Sequence, residues 1–353
     1  MIERIEFRLL EEHACRVLGD SEGVRVSELV RKLELESSDP RLEDLLRLDH
    51  ELQKEGDFLY VGWDITRTHT EDELASAELL HLFPTRQFEP DGESCGTTYD
   101  YSKSCSYCGA GRQQVGDLVL DLRRVPVSLD IAVSITGEWT VSRRLAELLA
   151  SDYPSVQLAP IRHRAQFDQD AIQLDEVPAG RELLAAAAEE GLDASSWEFI
   201  VWLNADRQNA LYGRAVREHV TAASRDGHST EDQTAQPGHR YQLRLEKATV
   251  RVDARTEFGS TPTDRLSGRR EGATSIGSHR CPLGHTLGLN ALSPLYVDRS
   301  SWDGSEIVRT EQLVGERVGV FVPRPFVLIS SGVYRALVAN AIKGFRVEVA
   351  HLV

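Results

Sequence analysis

Two short cysteine motifs, half a chain length apart, constrain this 353-residue sequence more than any other feature. The first, CSYCG at residues 105–109, has the spacing at which two thiolates bind one metal ion, and its glycine permits a tight turn. The second, CPLGH at residues 281–285, supplies a third thiolate and an imidazole. Borderline-soft Zn²⁺ accepts such a set in a tetrahedral site. The sequence therefore predicts one structural zinc ion, with the ligands Cys105, Cys108, Cys281 and His285.

Other interpretations of these residues stay open. A CxxC pair also occurs in redox proteins, where one thiol has a low pKa at a helix N-terminus, although a glycine directly after Cys108 favours a turn. Cys95 or His279 could replace one of the four ligands. Cys15 is interpreted as a small, buried apolar residue. A closed, cysteine-rich site is structural, because a catalytic zinc ion keeps one position open for water.

Each cysteine motif precedes the same succession of predicted elements. A strand is followed by an acidic residue, a second strand, a helix capped by serine, and a closing strand. The segments are 118–122, 130–132, 139–150 and 156–161 in the first copy, and 295–298, 305–307, 326–338 and 345–349 in the second. The motifs begin 281 − 105 = 176 residues apart, so we predict that the chain contains a duplicated unit.

Hydrophobic periodicity predicts the remaining elements. It indicates helices over 26–35, 42–52 and 181–190, and a helix that starts at Thr70 and runs through Leu82. A strand is predicted over 58–63, and segments 241–245 and 249–253 alternate as the strands of a hairpin do. The polar segments 221–239 and 261–278 are expected to be surface loops.

These observations together predict an α+β protein. We expect two related lobes, residues 1–165 and 166–353, with mixed β-sheets and flanking helices, bridged by the zinc-knuckle site. Because the ligands come from both halves of the chain, metal binding would be linked to folding of the whole protein.

The charge balance indicates which partners the chain can bind. It has 56 acidic and 40 basic residues, a formal net charge of −16, which repels phosphate backbones and anionic membranes and favours a basic protein partner. The first residues lack the basic and apolar regions of a signal peptide, and no apolar run approaches the length of a membrane span. We therefore expect a cytoplasmic protein, and the sequence leaves its oligomeric state undetermined.

The cysteine motifs, the segment Trp302-Asp-Gly-Ser-Glu-Ile307 and the two capped helix and strand endings resemble the double-CXXCG motif proteins. That group includes immunity proteins against the Sit-type toxins that myxobacteria exchange through their outer membranes. The second motif here departs from the pattern, since His285 follows three spacer residues where a cysteine would follow two. The resemblance implies a non-catalytic protein that neutralises a toxin by tight binding.

Two alternative functions remain at this level. A zinc-containing regulator or nucleic-acid-associated protein would need a basic patch, for which the candidates are Arg265 to Arg270, and Arg112 with Arg123 and Arg124. An enzyme with an unrecognised site is the other alternative. The sequence contains no HExxH, GxSxG, Walker or GxGxxG motif, so it identifies no catalytic residue.

Overall fold

A computed structural model describes most of the chain. The described residues are 1–19, 22–102, 104–105, 109–164, 174–193, 202, 211–212, 214–215, 218, 240–245, 249–259, 290–315 and 323–353. The six helices labelled within them are α1 Glu11–Ala14, α2 Arg41–Glu55, α3 Glu71–Ser76, α4 Arg143–Asp152, α5 Pro178–Glu189 and α6 Ser331–Ala339.

The strands are short and numerous. The first ten are β1 Ile2–Leu10, β2 Val24–Arg25, β3 Val30–Glu36, β4 Tyr60–Thr68, β5 Leu79–Pro84, β6 Gln87–Phe88, β7 Thr98–Asp100, β8 Gln113–Val115, β9 Leu118–Leu120 and β10 Ile131–Ser134. The others are β11 Trp139–Ser142, β12 Gln157–His163, β13 Arg240–Arg244, β14 Thr249–Val250, β15 Phe258–Gly259, β16 Asn290–Ala291, β17 Leu295–Val297, β18 Ile307–Val314, β19 Arg324–Ser330 and β20 Phe345–Leu352.

The N-terminal residues form a sheet of their own, in the order β2-β3-β1-β4 and antiparallel throughout. Along β1, alternate residues are buried, as expected for a strand with one face on a core. Leucines of α2 belong to the same apolar cluster as the inward residues of β1 and β3. The helix therefore covers one face of this sheet.

The rest of the described chain is built on two six-stranded sheets of identical design. Their orders are β6-β10-β11-β13-β12-β9 and β14-β18-β19-β5-β20-β17. In each sheet the four central strands are antiparallel and the two outer strands run parallel to their neighbours. Both are therefore mixed sheets, and the predicted mixed α+β class is confirmed.

The two sheets repeat the succession of elements that the sequence predicted, and the agreement extends to individual hydrogen bonds. Ser142 caps α4 and Ser330 caps α6, each accepting from the backbone N–H three residues on at 3.2 Å. The Ser142 hydroxyl also donates to Asp130, which precedes β10. The Ser330 hydroxyl likewise donates to Glu306, which precedes β18. Such agreement follows from the equivalence of the two copies.

The two copies exchange one strand. In chain order β13 begins the second copy, yet it lies between β11 and β12 of the first. Likewise β5 precedes the first copy and lies between β19 and β20 of the second. Each half of the chain thus supplies a central strand to the sheet of the other half.

One apolar cluster joins the two sheets. It contains inward residues of α4 and α6 together with residues of both exchanged strands, Leu80 and Leu82 from β5 and Leu243 from β13. The backbone N–H of Lys343, in the second copy, donates to Asp130 of the first at 2.9 Å. The helices therefore pack in a core that belongs to both copies.

Three predictions of secondary structure are wrong. Residues 30–36 form β3 instead of a helix, because their apolar residues alternate and pair with β1. The helix that starts after Thr70 ends at Ser76, and residues 79–84 form a strand that is buried on both faces. Strands β13 and β14 form, but they lie in different sheets and make no hairpin.

Several other predictions are confirmed. Helix α2 covers the predicted segment 42–52, and α5 covers 181–189. The predicted lobe boundary at residue 165 and the loops 221–239 and 261–278 lie outside the described residues. No helix in the described ranges is both long and apolar enough to cross a lipid bilayer.

Candidate metal centre

Cys105 lies in a tight turn between the two strands of a short ribbon, β7 and β8. Its backbone N–H donates to the Ala110 carbonyl at 2.7 Å, and the Gly109 N–H donates to the Cys105 carbonyl at 2.9 Å. Gly109 has φ +68°, which glycine adopts without the steric cost that a Cβ atom brings. The glycine after the CxxC pair thus serves the turn that the sequence predicted.

The ribbon is fixed to the first six-stranded sheet by side-chain hydrogen bonds. Gln114 on β8 and Gln242 on β13 exchange two amide hydrogen bonds, at 3.1 Å and 2.6 Å. The Thr97 hydroxyl donates to the Val119 carbonyl and accepts from the Val119 N–H, both at 2.9 Å. These contacts hold the turn that carries Cys105 in one position relative to the sheet.

A second ribbon, β15 with β16, stands in the same place in the second copy. Thr256 precedes it as Thr97 precedes the first ribbon, and the Thr256 hydroxyl bonds both the carbonyl and the N–H of Tyr296. In sequence, residues 281–285 fall between β15 and β16, just as 105–109 fall between β7 and β8. The two cysteine motifs are therefore equivalent parts of the duplicated unit.

The turn that carries Cys105 packs against the second copy. Cys105 and Ala110 form a small apolar cluster, and Leu313 of β18 packs against this cluster. Nearby, Gly137 in the β10–β11 turn packs closely on Arg324 of β19, where an added Cβ atom would lie 2.5 Å from Arg324 Cδ. The first ribbon and the hairpin ends of both sheets thus meet in one region.

Beneath the first ribbon lies a buried polar network centred on Glu138. Its carboxylate accepts hydrogen bonds from the hydroxyls of Tyr99 at 2.5 Å and Thr136 at 2.6 Å, and from the Ser134 hydroxyl. The Arg112 guanidinium stacks over the Tyr99 ring, 4.4 Å from its centroid, and lies 3.9 Å from the Glu138 carboxylate. A buried carboxylate needs such partners, because an isolated one would cost far more than a hydrogen bond returns.

Burial controls the protonation of this network. Desolvation raises the pKa of Glu138 above its ordinary value, and it raises the pKa of Tyr99 well above 10 with a further contribution from the Glu138 charge. Desolvation and Glu93 raise the pKa of Tyr101 to about 12. Both phenols therefore remain protonated near neutral pH and act as hydrogen-bond donors. The arrangement stabilises the ribbon and offers no exposed base.

The other described cysteines differ sharply from Cys105. Cys95 is fully buried and its sulfur accepts a hydrogen bond from the Asp121 N–H at 3.2 Å, while burial raises the pKa of its thiol to about 12. A thiol held in its protonated form makes a poor zinc ligand. Cys15 is exposed, so its interpretation as a buried apolar residue is wrong.

Three of the four predicted ligands, and the alternative His279, lie outside the described residues. Among the residues that the structure does describe, no three His, Cys, Asp or Glu side chains lie close enough to hold a metal ion. The described part of the site is therefore Cys105 and its turn. The glycine turn and the position beside the second copy suit a ligand in a closed structural site.

The Glu138 network was not foreseen from the sequence. Arg112 was considered as part of a basic patch, whereas its side chain is 12% exposed and pairs with Glu93 at 3.3 Å. It is therefore not available to bind a nucleic-acid backbone. The one local signal for the network is a glutamate placed with Ser134 and Thr136 in a short segment between apolar strands.

The chain matches no protein-family model, no curated protein and no solved structure.

Proposed function

We propose that this protein is a non-catalytic binding protein of the immunity type, which neutralises a basic toxin by direct association. The proposal carries forward the resemblance of its cysteine motifs to the double-CXXCG motif proteins. Its single strongest support is the net charge of −16, which attracts a basic partner over long range.

The distribution of charged side chains supports the same partner class. Many exposed arginines are neutralised within the protein, as in the pairs Arg41 with Asp39 and Arg299 with Glu78. Carboxylates in excess of these pairs stand exposed along α2, and along α5 with the 3₁₀ turn before it. Such a surface accelerates the encounter with a basic protein and does so less at high salt.

The first experiment is co-purification from the native cell extract with the full chain as bait, at low and then moderate salt. We expect mass spectrometry to identify one small basic protein that is toxic when expressed alone and harmless when this chain is present. Retention of nucleic acid, or a retained protein without toxicity, would instead favour the regulator or enzyme alternatives.

Charge-neutral variants then locate the contact face. One variant removes four exposed carboxylates near α5, and its matched control removes four on α2; the sets are Asp175, Glu176, Glu189, Glu190 and Glu43, Asp44, Glu51, Glu55. Loss of long-range steering slows association in both variants alike. Faster dissociation in one variant identifies the surface that touches the toxin.

We further propose that one structural zinc ion, bound by Cys105, Cys108, Cys281 and His285, bridges the two copies. Support comes from the equivalence of the ribbons whose strands flank the motifs, and from the packing of Leu313 against the cluster of Cys105 and Ala110. By the pseudo-symmetry of the two copies, each motif is expected to face the hairpin end of the other copy. Zinc would then join halves that already share strands.

Metal analysis tests the zinc site. We expect Cys105→Ser and Cys108→Ser each to release the metal and to lower the melting temperature of the whole chain, because structural zinc binding is linked to folding. Cys15→Ser, at an exposed cysteine, is the matched control and should change neither quantity. Unchanged zinc content in the Cys105 and Cys108 variants would remove the site from the proposal.

A further inference from the structure

An open groove of about 640 Å³ lies at the edge of the first six-stranded sheet. One wall is the edge strand β6 with its flanking residues 86–89, and the other is the segment 123–128 that leads from β9 towards β10. We call it the β6 groove. Three of its residues are arginines, Arg86, Arg123 and Arg124, against one acidic residue, Glu89.

Two of these arginines have no side-chain partner among the described residues. The Arg123 guanidinium is held by Asp121, with two hydrogen bonds at 2.8 Å and 2.7 Å. Arg86 and Arg124 are exposed, and in the described part of the chain neither guanidinium forms an ion pair or a side-chain hydrogen bond. The protein has a net charge of −16, and most of its described arginines form ion pairs or hydrogen bonds. Two neighbouring exposed arginines without such partners are therefore unusual in it.

The second copy shows that the turn after Asp121 does not require Arg123 and Arg124. Asp121 and Asp298 begin equivalent turns, each accepting from the backbone N–H two residues on. At the two positions where the first copy has Arg123 and Arg124, the second has Ser300 and Ser301. The turn therefore forms with either pair, so it does not need Arg123 and Arg124. The second copy has Arg299 in this turn, but Glu78 pairs with it.

The groove also offers an apolar contact. Val127 is 91% exposed at its rim, while Phe88 and Val125 are buried beneath it. A compact inorganic anion is normally held in an enclosed polar site, often at backbone N–H groups. An open groove with separated guanidiniums and an exposed valine suits instead an extended chain that presents carboxylates beside an apolar side chain.

From these features we infer that the β6 groove binds an acidic, extended peptide segment of a partner protein, through Arg86 and Arg124 with Val127 as the apolar contact. Planar guanidiniums bind carboxylates with two parallel hydrogen bonds, which gives such a site specificity for acidic side chains. This interaction is independent of the proposed toxin binding, since it depends on positive charge where toxin binding depends on negative charge.

The test is fluorescence anisotropy on the full chain. The probe is a labelled decapeptide with four glutamates around a central isoleucine and valine, and its comparison is the same peptide with glutamines in place of the glutamates. We expect saturable binding of the glutamate peptide, weaker at high salt, and binding of the glutamine peptide that is weaker at least about tenfold. Arg86→Glu with Arg124→Glu should weaken binding at least about tenfold, and Val127→Ser should weaken it by a smaller factor.

The control variant carries the same change in net charge at two exposed arginines outside the groove, Arg47→Glu with Arg335→Glu, and should bind as the unaltered protein does. Circular dichroism confirms that both double variants are folded. Equal binding by the groove variant, equal binding of the glutamine and glutamate peptides, or no binding of the glutamate peptide would each overturn the inference. Displacement of the peptide by equimolar inorganic phosphate would also overturn it, because it would identify a site for a compact anion.

Discussion

Arg67 joins the N-terminal sheet to the second six-stranded sheet. Its side chain is 5% exposed, and its guanidinium bonds Glu3 at 2.8 Å, Glu348 at 3.4 Å and the Leu292 carbonyl at 2.7 Å. Both carboxylates are buried as well. A buried charge of this kind is stable only while its partners remain, because their attraction compensates the free energy that each ion loses when it is removed from water.

Replacing Arg67 by leucine should therefore be severe. The substitution removes the Arg67 cation from two buried carboxylates, of which Glu348 keeps Arg346 at 2.8 Å. We expect it to lower the free energy of unfolding by about 3–5 kcal/mol, measured by chemical denaturation. Arg8→Leu, an exposed arginine on the same sheet that lies 3.6 Å from Glu6, is the control and should cost less than about 1 kcal/mol. Similar losses for the two variants would show that Arg67 is not a joint between sheets.

Glu11 gives the N-terminal sheet a pH-dependent contribution to stability. Hydrogen bonds from Arg31 and then Arg25 lower the pKa of Glu11 from 4.5 to about 2. A depressed carboxyl pKa stabilises the fold fully above pH 4.5, and this contribution is lost as the pH falls towards 2. Glu11→Gln should lower the melting temperature at pH 7 and flatten its decline between pH 4.5 and 2.

The adjacent Glu12 provides the control for that measurement. Glu12 is exposed, so Glu12→Gln should leave both the melting temperature and its acid dependence close to those of the unaltered protein. If the two variants lose stability in parallel as the pH falls, the acid dependence does not come from the arginine contacts of Glu11.

The capped helices are the repeated element of the duplicated unit. Ser142 and Ser330 each satisfy a backbone N–H at a helix start and donate to a carboxylate, so each fixes the helix relative to the strand before it. Ser142→Ala and Ser330→Ala should each lower the free energy of unfolding by about 1–2 kcal/mol. Ser331→Ala is the matched control for Ser330, and equal effects at the two positions would argue against the cap.

These elements also mark the limit of what the sequence predicts. The caps are local signals: a serine or threonine before a helix is recognisable from neighbouring residues, as at Thr70 and Ser330. The pairing of β5 cannot be predicted from neighbouring residues, because its partners on β19 and β20 are some 245 or more residues away in the chain. Read alone, its apolar run fits a helix or a strand.

The same division applies to the candidate site. The spacing of Cys105 and its glycine predicted the turn, since both signals lie within five residues. The Glu138 network depends on a hydrogen bond between residues 39 apart in the chain, for which the sequence contains no pattern. Non-local contacts of this kind are found from the fold alone.

At the scale of the whole molecule, the exchanged strands make each half of the chain dependent on the other. A fragment of residues 1–165 lacks β13, and a fragment of 166–353 lacks β5, so each six-stranded sheet would lose a central strand. We expect the C-terminal fragment alone to show no fixed aromatic environment by near-ultraviolet circular dichroism. Addition of the N-terminal fragment should restore it and produce a complex in size-exclusion chromatography.

A C-terminal fragment that folds by itself, with a cooperative thermal transition, would show that β5 is dispensable for its sheet. The N-terminal fragment is a less sensitive probe, since the sheet of β1 to β4 has its own apolar cluster. The comparison therefore rests on the C-terminal fragment.

The exchange of β5 and β13 is also the geometry of two identical subunits that swap a strand, here carried by one continuous chain. In a homodimer every substitution occurs twice, so both halves must accept the same surface. Once the halves share a single gene, each surface can diverge without its twin. The copies differ in this way where Arg123 and Arg124 correspond to Ser300 and Ser301. They differ also in the connection within the ribbon, which has twelve residues between β7 and β8 and thirty between β15 and β16.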